Sequence, residues 1–116
     1  MQKLCPKVIV ESKKNNSELV KAVKALKDKE NQYIIVFDNS FDKEILMNVK
    51  GKLIVIDNAD ILLSDEVRKY ISMDGNNQYL IIGRNPKNLF TTKENLFELI
   101  SKKNGEMTEF QIQPYL

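Results

Sequence analysis

The sequence predicts an α/β domain: a three-layer sandwich with a mainly parallel five-stranded sheet and helices on both faces. Apolar runs of strand length, rich in Val and Ile, alternate with amphipathic helical patterns, and this order favours right-handed crossovers between parallel strands. The first four runs are apolar throughout, which is typical of strands buried on both faces. With 116 residues, 42% of them hydrophobic and 29% charged, residues 1–116 are predicted to form a single domain.

Five runs are predicted as strands. The first four are KVIV, YIIVF, KLIVI and YLIIG, at residues 7–10, 33–37, 52–56 and 79–83. The fifth, EFQIQ at residues 109–113, alternates apolar and polar side chains, so we expect one of its faces to be wet. Pro114 follows this run, and proline within a sheet is confined to edges and strand ends. The fifth strand is therefore predicted at an edge of the sheet.

Four helical patterns separate these strands. The first, SELVKAVKALKDK, begins at Ser17 and has one apolar face and one face rich in lysine. FDKEILMNV at residues 41–49 is a shorter pattern, and SDEVRKYISMD opens with Ser64, a good N-cap. The fourth, TTKENLFELISKK, opens with Thr91 and Glu94 at capping-box spacing. It is predicted as a helix that leads into the edge strand.

Composition narrows the chemistry that this chain can perform. The sequence contains no His and a single Cys, Cys5, which excludes Ser–His and Cys–His catalytic pairs and the usual zinc sites. Any bound metal would be a hard cation held by carboxylates. The net charge of +2 is too small to indicate a nucleic-acid partner. The sequence has no signal peptide and no apolar run long enough for a membrane, so a cytoplasmic protein is predicted.

Polar residues follow the predicted strands where each one ends. In open α/β sheets, ligands bind at the carboxyl ends of the strands. The candidate ligand residues there are Asp38, Asp57, Asp60, Arg84 and Asn85. The three aspartates together could bind Mg²⁺, and Arg84 could contact a phosphate. The alternative is that strands leaving a core simply end in residues that favour turns.

The segment LIVIDNAD, followed by a helix and then by YLIIGRNP, resembles the central part of a P-loop NTPase of the AAA-like kind. In that family an apolar strand ends in the Walker B aspartate, normally followed by a glutamate, and a later strand ends in a polar sensor residue. Asp57 occupies the place of the Walker B aspartate, and Asn85 lies where the sensor would be. The resemblance covers residues 52–86.

The Walker A loop of that family has no counterpart in this sequence. Such a loop needs glycines whose amides surround the phosphates, then a Lys and a Ser or Thr. The corresponding segment, ESKKNNSELV, has no glycine, and its Glu11 and Glu18 would repel phosphate. Asn58 stands in the place of the glutamate that would activate water. The sequence therefore predicts a degenerate P-loop core that is not an enzyme and acts through an unidentified protein partner.

The alternative function is a Mg²⁺-dependent nucleotide- or phosphate-binding domain, either NTPase-like or receiver-like. A receiver domain carries a phosphorylated aspartate after its third strand, a position that Asp57 resembles. That family also has paired acids after its first strand and a lysine after its fourth. Here Glu11 is followed by Ser12, and the fourth run ends in Arg84 and Asn85.

The C-terminal edge strand also bears on assembly. An exposed edge attracts another chain unless it is short, charged or covered. The segment TEFQIQPYL carries a single charge, at Glu109. We expect either a homodimer through this edge or a neighbouring helix face, or a monomer in which Tyr115 and Leu116 fold back on the domain.

Overall fold

The computed structural model describes residues 6–13, 17–25, 32–90 and 95–114. The strands are β1 (Lys7–Glu11), β2 (Ile34–Phe37), β3 (Leu53–Ile56), β4 (Gln78–Gly83), β5 (Leu96–Asn104) and β6 (Met107–Pro114). The helices are α1 (Ser17–Lys24), α2 (Lys43–Met47), α3 (Ala59–Leu62) and α4 (Asp65–Met73). A 3₁₀ turn, Pro86–Asn88, follows β4.

The strands form one six-stranded sheet in the order β2-β3-β4-β1-β5-β6. All neighbouring strands are parallel except β5 and β6, which are antiparallel. The chain is therefore a mixed α/β protein with a mostly parallel sheet, as the sequence predicts. The first four predicted strands are present, and the predicted C-terminal edge strand does lie at an edge.

The helix predicted from TTKENLFELISKK is wrong, because most of that segment is strand β5. The sheet consequently has six strands rather than five. Thr91 and Glu94, the predicted capping box, lie outside the described residues. The apolar residues of this segment have helical spacing, but strand pairing overrides it, because β5 lies between β1 on one side and β6 on the other.

A tight hairpin connects β5 to β6. Asn104 pairs with Met107, so only Gly105 and Glu106 form the loop. Gly105 has a φ of 67°, in the left-handed region where glycine carries no steric cost. A two-residue loop with glycine first is a favoured hairpin connection, and a glycine between two strand-like runs indicates one. This signal in the sequence could have corrected the helix prediction.

Strand β3 is buried on both of its faces. Ile54 and Ile56 lie in one apolar cluster, while Val55 lies in a second cluster on the opposite face, as expected from alternating side chains. All three side chains are fully buried. The first cluster includes side chains of α2, α3 and α4, and the second includes Val23 of α1. Helices therefore pack against both faces of the central strands.

Strand β6 differs from the prediction in one respect. The alternating sequence predicts one wet face, but the strand is exposed along its whole length and on both faces. Even the apolar side chains of Phe110 and Ile112 are 47% and 62% exposed. The reason is that β1 pairs only with residues 96–98 of β5, so the rest of the β5–β6 hairpin extends beyond the neighbouring strand.

Burial on both faces predicts similar losses of stability on the two sides of the sheet. Ile54 and Ile82 are both fully buried, one in each apolar cluster. Replacing either by alanine should lower the free energy of unfolding by about 2–5 kcal/mol, because each change leaves a cavity. Ile61→Ala is the matched control, since that side chain is 83% exposed, and should change it by less than about 0.5 kcal/mol. Urea denaturation measures all three, and a loss at Ile82 as small as the control's would contradict helix cover on the α1 face.

Candidate functional site

The predicted ligand residues lie at the carboxyl ends of the parallel strands. The carboxyl ends of β2, β3, β4 and β1 are neighbours in that order. Asp38 follows β2, Asp57 follows β3, and Arg84 and Asn85 follow β4. Asp60 reaches the same strand ends from α3. What each side chain contacts there decides which chemistry these strand ends can support.

Asp57 is mostly buried, with 6% of its surface exposed. Its backbone N–H donates to the carbonyl oxygen of Phe37 at 2.8 Å, which continues the β2–β3 pairing by one residue. Its Oδ1 accepts a hydrogen bond from the N–H of Asn58 at 2.9 Å. The carboxylate thus helps to shape the turn between β3 and α3.

Asn58, which follows Asp57, connects two strand ends. Its φ of 55° and ψ of 37° put it in the left-handed region, which asparagine tolerates better than most residues. Its side-chain Nδ2 donates to the carbonyl oxygen of Asp38 at 2.9 Å. Its own carbonyl oxygen accepts the N–H groups of Ile61 and Leu62, both at 3.0 Å, at the start of α3. Backbone conformation and contacts together account for asparagine at this position.

Asp60 caps the end of β4. Its carboxylate accepts hydrogen bonds from the backbone N–H of Arg84 and, at 3.4 Å, from that of Asn85. The carboxyl group lies directly over Gly83, where an added Cβ would be 2.9 Å from the Asp60 Cγ. Two adjacent N–H groups at a strand end are donors that an anion could use. In this protein Asp60 already supplies the anion.

The carboxylates of Asp57 and Asp60 both accept backbone N–H groups. In the part of the chain that the structure describes, no three Asp, Glu, Cys or His side chains are grouped so as to hold a metal ion. A magnesium ion at Asp38, Asp57 and Asp60 stays a prediction. Asp60 would hold such an ion with the oxygen lone pairs that do not accept the N–H groups of Arg84 and Asn85. The side chains of Arg84 and Asn85 are both exposed to solvent.

A buried polar cluster that the sequence did not reveal lies at the opposite, amino ends of the strands. Asp74, Asn77 and Tyr79 are 6%, 1% and 1% exposed. The Asp74 carboxylate accepts hydrogen bonds from the Tyr79 hydroxyl, from Asn77 Nδ2 at 3.0 Å and from the N–H of Asn76 at 2.8 Å. Burial, followed by the hydrogen bond to Asp74 and its negative charge, raises the pKa of Tyr79 far above its ordinary value.

Asn77 extends this cluster to the start of β3. Its Oδ1 accepts the N–H of Lys52 at 3.0 Å, and its Nδ2 donates to the carbonyl oxygen of Val49 at 3.0 Å. The cluster thus joins the end of α4, the start of β4 and the segment before β3. In the sequence the stretch SMDGNNQY indicates only a turn, because Asp, Asn and Gly are the ordinary turn residues. Its burial follows from tertiary packing.

A cavity of about 290 Å³ lies beside α4. Arg68 forms an ion pair with Asp65 at its rim, and within the described residues the Arg68 Nε has no hydrogen-bond partner. The residues that line it are Asp65, Arg68, Lys69, Ser72, Asn88, Leu89 and Phe90. The lining carries both signs of charge and shares no residue with the strand-end candidates.

Comparisons of the chain with protein-family models, with curated proteins and with solved structures find no match. Within the described ranges, none of the helices has the length and apolar character needed to cross a membrane. The function is therefore inferred from the residues and their geometry.

The contact between Gly83 and Asp60 predicts a strong coupling between these two positions. Gly83→Ala should cost about 1–3 kcal/mol of unfolding free energy, because the new methyl group displaces a carboxylate held by two N–H groups. The same substitution in an Asp60→Ala background should cost much less, because the displaced group is then absent. A double-mutant cycle measured by urea denaturation gives the coupling. Additive effects of the two substitutions would show that Asp60 does not lie over Gly83.

The buried cluster predicts that Tyr79→Phe is destabilising. Phenylalanine fills nearly the same volume but removes one of the donors to the buried Asp74 carboxylate. An incompletely satisfied buried group of this kind costs about 1–3 kcal/mol. Tyr33→Phe is the matched control, because Tyr33 is 62% exposed, and should change stability by less than about 0.5 kcal/mol.

The raised pKa of Tyr79 also predicts a dependence on pH. An unfolded tyrosine ionises near pH 10.0, whereas folded Tyr79 keeps its proton to a higher pH. A raised folded-state pKa contributes stability that is present below pH 10.0 and is lost as the pH rises above it, because the unfolded state releases its proton first. Above that pH the unfolding free energy of the natural protein should fall faster than that of Tyr79→Phe. Parallel curves for the two proteins would contradict the buried, protonated tyrosine.

Proposed function

We propose that this chain is a non-catalytic domain that resembles an inactive P-loop NTPase core and acts through contacts with other proteins. One observation carries the proposal: the carboxylate of Asp60 occupies the N–H groups of Arg84 and Asn85 at the end of β4. An anionic side chain in this place would repel a phosphate there by like charge. The segment after β1, which contains no glycine, supports the same proposal.

The strand order supports the P-loop resemblance over the receiver-like alternative. A P-loop site needs the loop after the first strand, the Walker B aspartate and the sensor within reach of the same phosphates. Here β3, β4 and β1 are neighbours, so the corresponding strand ends lie side by side. In the flavodoxin-like order β1 lies between β2 and β3. In this protein β1 lies between β4 and β5.

The finer architecture that we propose is a three-layer sandwich in a cytoplasmic protein. Support for the layers comes from Val23 of α1 on one face of the sheet and from Leu46 and Val67, of α2 and α4, on the other. Support for the compartment comes from the sequence, in which Cys5 is the only cysteine, as is common where thiols stay reduced.

A ligand screen tests the non-catalytic proposal directly. The melting temperature should be unchanged by Mg²⁺–ATP, Mg²⁺–GTP or Mg²⁺ with acetyl phosphate. A ligand present at about a hundred times its Kd would instead stabilise the fold by about 2.7 kcal/mol. Stabilisation by any of the three that disappears in Asp57→Ala would overturn the proposal.

The second candidate function is a Mg²⁺-dependent phosphate site, with Asp38, Asp57 and Asp60 on the metal and Arg84 on the phosphate. The observation in its favour is that these residues lie at the carboxyl ends of adjacent strands and that the Arg84 side chain is exposed. In this case Mg²⁺ alone should stabilise the natural protein, because it would relieve repulsion among the carboxylates.

Asp57→Ala separates the two candidate functions. Under the non-catalytic proposal the substitution removes a turn hydrogen bond to Asn58 and should cost about 1 kcal/mol, equally with and without Mg²⁺. Under the phosphate-site alternative the cost should appear mainly when Mg²⁺ is present. Urea denaturation in Mg²⁺ and in EDTA measures the difference, and Asp42→Ala, which removes the N-cap of α2, is the matched control.

A further inference from the structure

Strand β6 presents an open edge. It is eight residues long, it lies at the end of the sheet, and every residue in it is exposed. Met107, Phe110 and Ile112 are 70%, 47% and 62% exposed. The outer side of β6 pairs with no other strand among the described residues. Such an edge is a template for another strand.

The pairing of β5 fixes which backbone groups of β6 face outward. The N–H of Lys7 donates to the carbonyl oxygen of Asn95 at 2.9 Å, so the odd-numbered residues of β5 face β1 and the even-numbered ones face β6. The uninterrupted β5–β6 register then turns the odd-numbered residues of β6 inward. The N–H and C=O groups of Thr108, Phe110 and Ile112 therefore point away from the sheet.

Pro114 fits the same alternation. It is an even-numbered residue of β6, so the N–H that proline lacks would have pointed outward. The hairpin loses no hydrogen bond to β5 through this proline. Pro114 instead limits the outward edge to the residues before it.

We propose that the partner on this edge is a second copy of the chain, paired antiparallel through β6 about a two-fold axis at Phe110. Phe110 would lie opposite Phe110 of the partner subunit, and Thr108 opposite the partner's Ile112. The outward groups of these residues supply about six hydrogen bonds between the subunits. The interface is isologous, with the same surface used by both copies.

The charges and the proline favour this register and a copy of the same chain. With the axis at Phe110, the single charge of the strand, at Glu109, lies opposite the partner's Gln111, so no like charges meet directly. An axis at Glu109 would place two carboxylates opposite each other. An axis at Gln111 would bring Pro114, which has no N–H, into the paired length. Of these three registers, only the one centred on Phe110 avoids both problems.

The apolar side chains favour the same arrangement. Ile112 pairs with Leu99 on β5, and Leu99 packs against the cluster beneath α1. Thr108, Phe110 and Ile112 share this face, because residues two apart point to the same side of a strand. Pairing two copies places the aromatic rings of Phe110 next to each other across the axis, which is a favourable cross-strand pair. It would lengthen the apolar face that the α1 cluster begins.

This inference deepens the proposed function, because it names the protein partner. It rests on that proposal only in taking the partner to be a protein. Nucleotide binding at the strand ends would overturn the non-catalytic role and leave the β6 edge unaffected. A monomer would remove the second copy as the partner and leave the ligand screen as a separate test of that role.

Sedimentation equilibrium of the full chain at micromolar concentration tests the dimer. The natural protein should sediment as a dimer. Phe110→Lys and Phe110→Glu should each weaken dimerisation by at least about tenfold, because like charges would then lie opposite each other across the axis. An equimolar mixture of the two variants should recover a dimer, because opposite charges meet. Ile61→Lys is the matched control on α3 and should leave the dimer unchanged, since that side chain is 83% exposed.

Amide hydrogen exchange gives a measurement that needs no substitution. Raising the concentration of the natural protein should slow exchange at Thr108, Phe110 and Ile112, whose N–H groups face the partner. A natural protein that stays monomeric would overturn the proposal, as would a dimer that survives both substitutions at Phe110. Recovery of a dimer in the mixture excludes misfolding as the reason why each variant alone is monomeric.

Discussion

Burial of the central strands on both faces constrains the rest of this structure. Ile54, Val55 and Ile56 of β3 and Ile81 and Ile82 of β4 are inaccessible to solvent. The polar groups described above, by contrast, lie at the two ends of the strands. The backbone groups there still need hydrogen-bond partners, because a buried N–H or C=O without one is costly. At both ends of the strands, acidic and amide side chains supply these hydrogen-bond partners.

The same need explains why strand-end aspartates are ambiguous as signs of function. A magnesium site and a satisfied turn both call for carboxylates at the same positions. The decisive difference is what the oxygen atoms already bind. Asp60 accepts two backbone N–H groups, and hydrogen bonds to a charged group are worth about 1.5–3 kcal/mol each. These bonds already satisfy part of the hydrogen-bonding capacity of the Asp60 carboxylate, which favours the structural role for Asp60.

The parts of the fold predicted from sequence are those with one dominant local signal. Continuous apolar runs located β1 to β4, and the alternation around Phe110 located the C-terminal edge strand. The helix predicted for β5 is wrong because Leu96, Leu99 and Ile100 suit a helix face as well as a strand. Only pairing with β1 and β6 decides between the two. The contact of Asp60 with Arg84 joins residues far apart in sequence, so no local pattern contains it. Burial of Asp74 depends on tertiary packing in the same way.

The two edges of the sheet are protected very differently. Strand β2 at one edge has four residues, and short edge strands offer little length for pairing with another chain. Strand β6 at the other edge has eight residues and a single charged side chain, Glu109. A two-stranded ribbon that extends beyond its sheet is marginally stable by itself. Its exposed apolar side chains are a further liability, because they favour association. Pairing β6 with a further strand would satisfy its outward N–H and C=O groups and bury Phe110. The features that destabilise this edge are therefore the same ones that suit it to an interface.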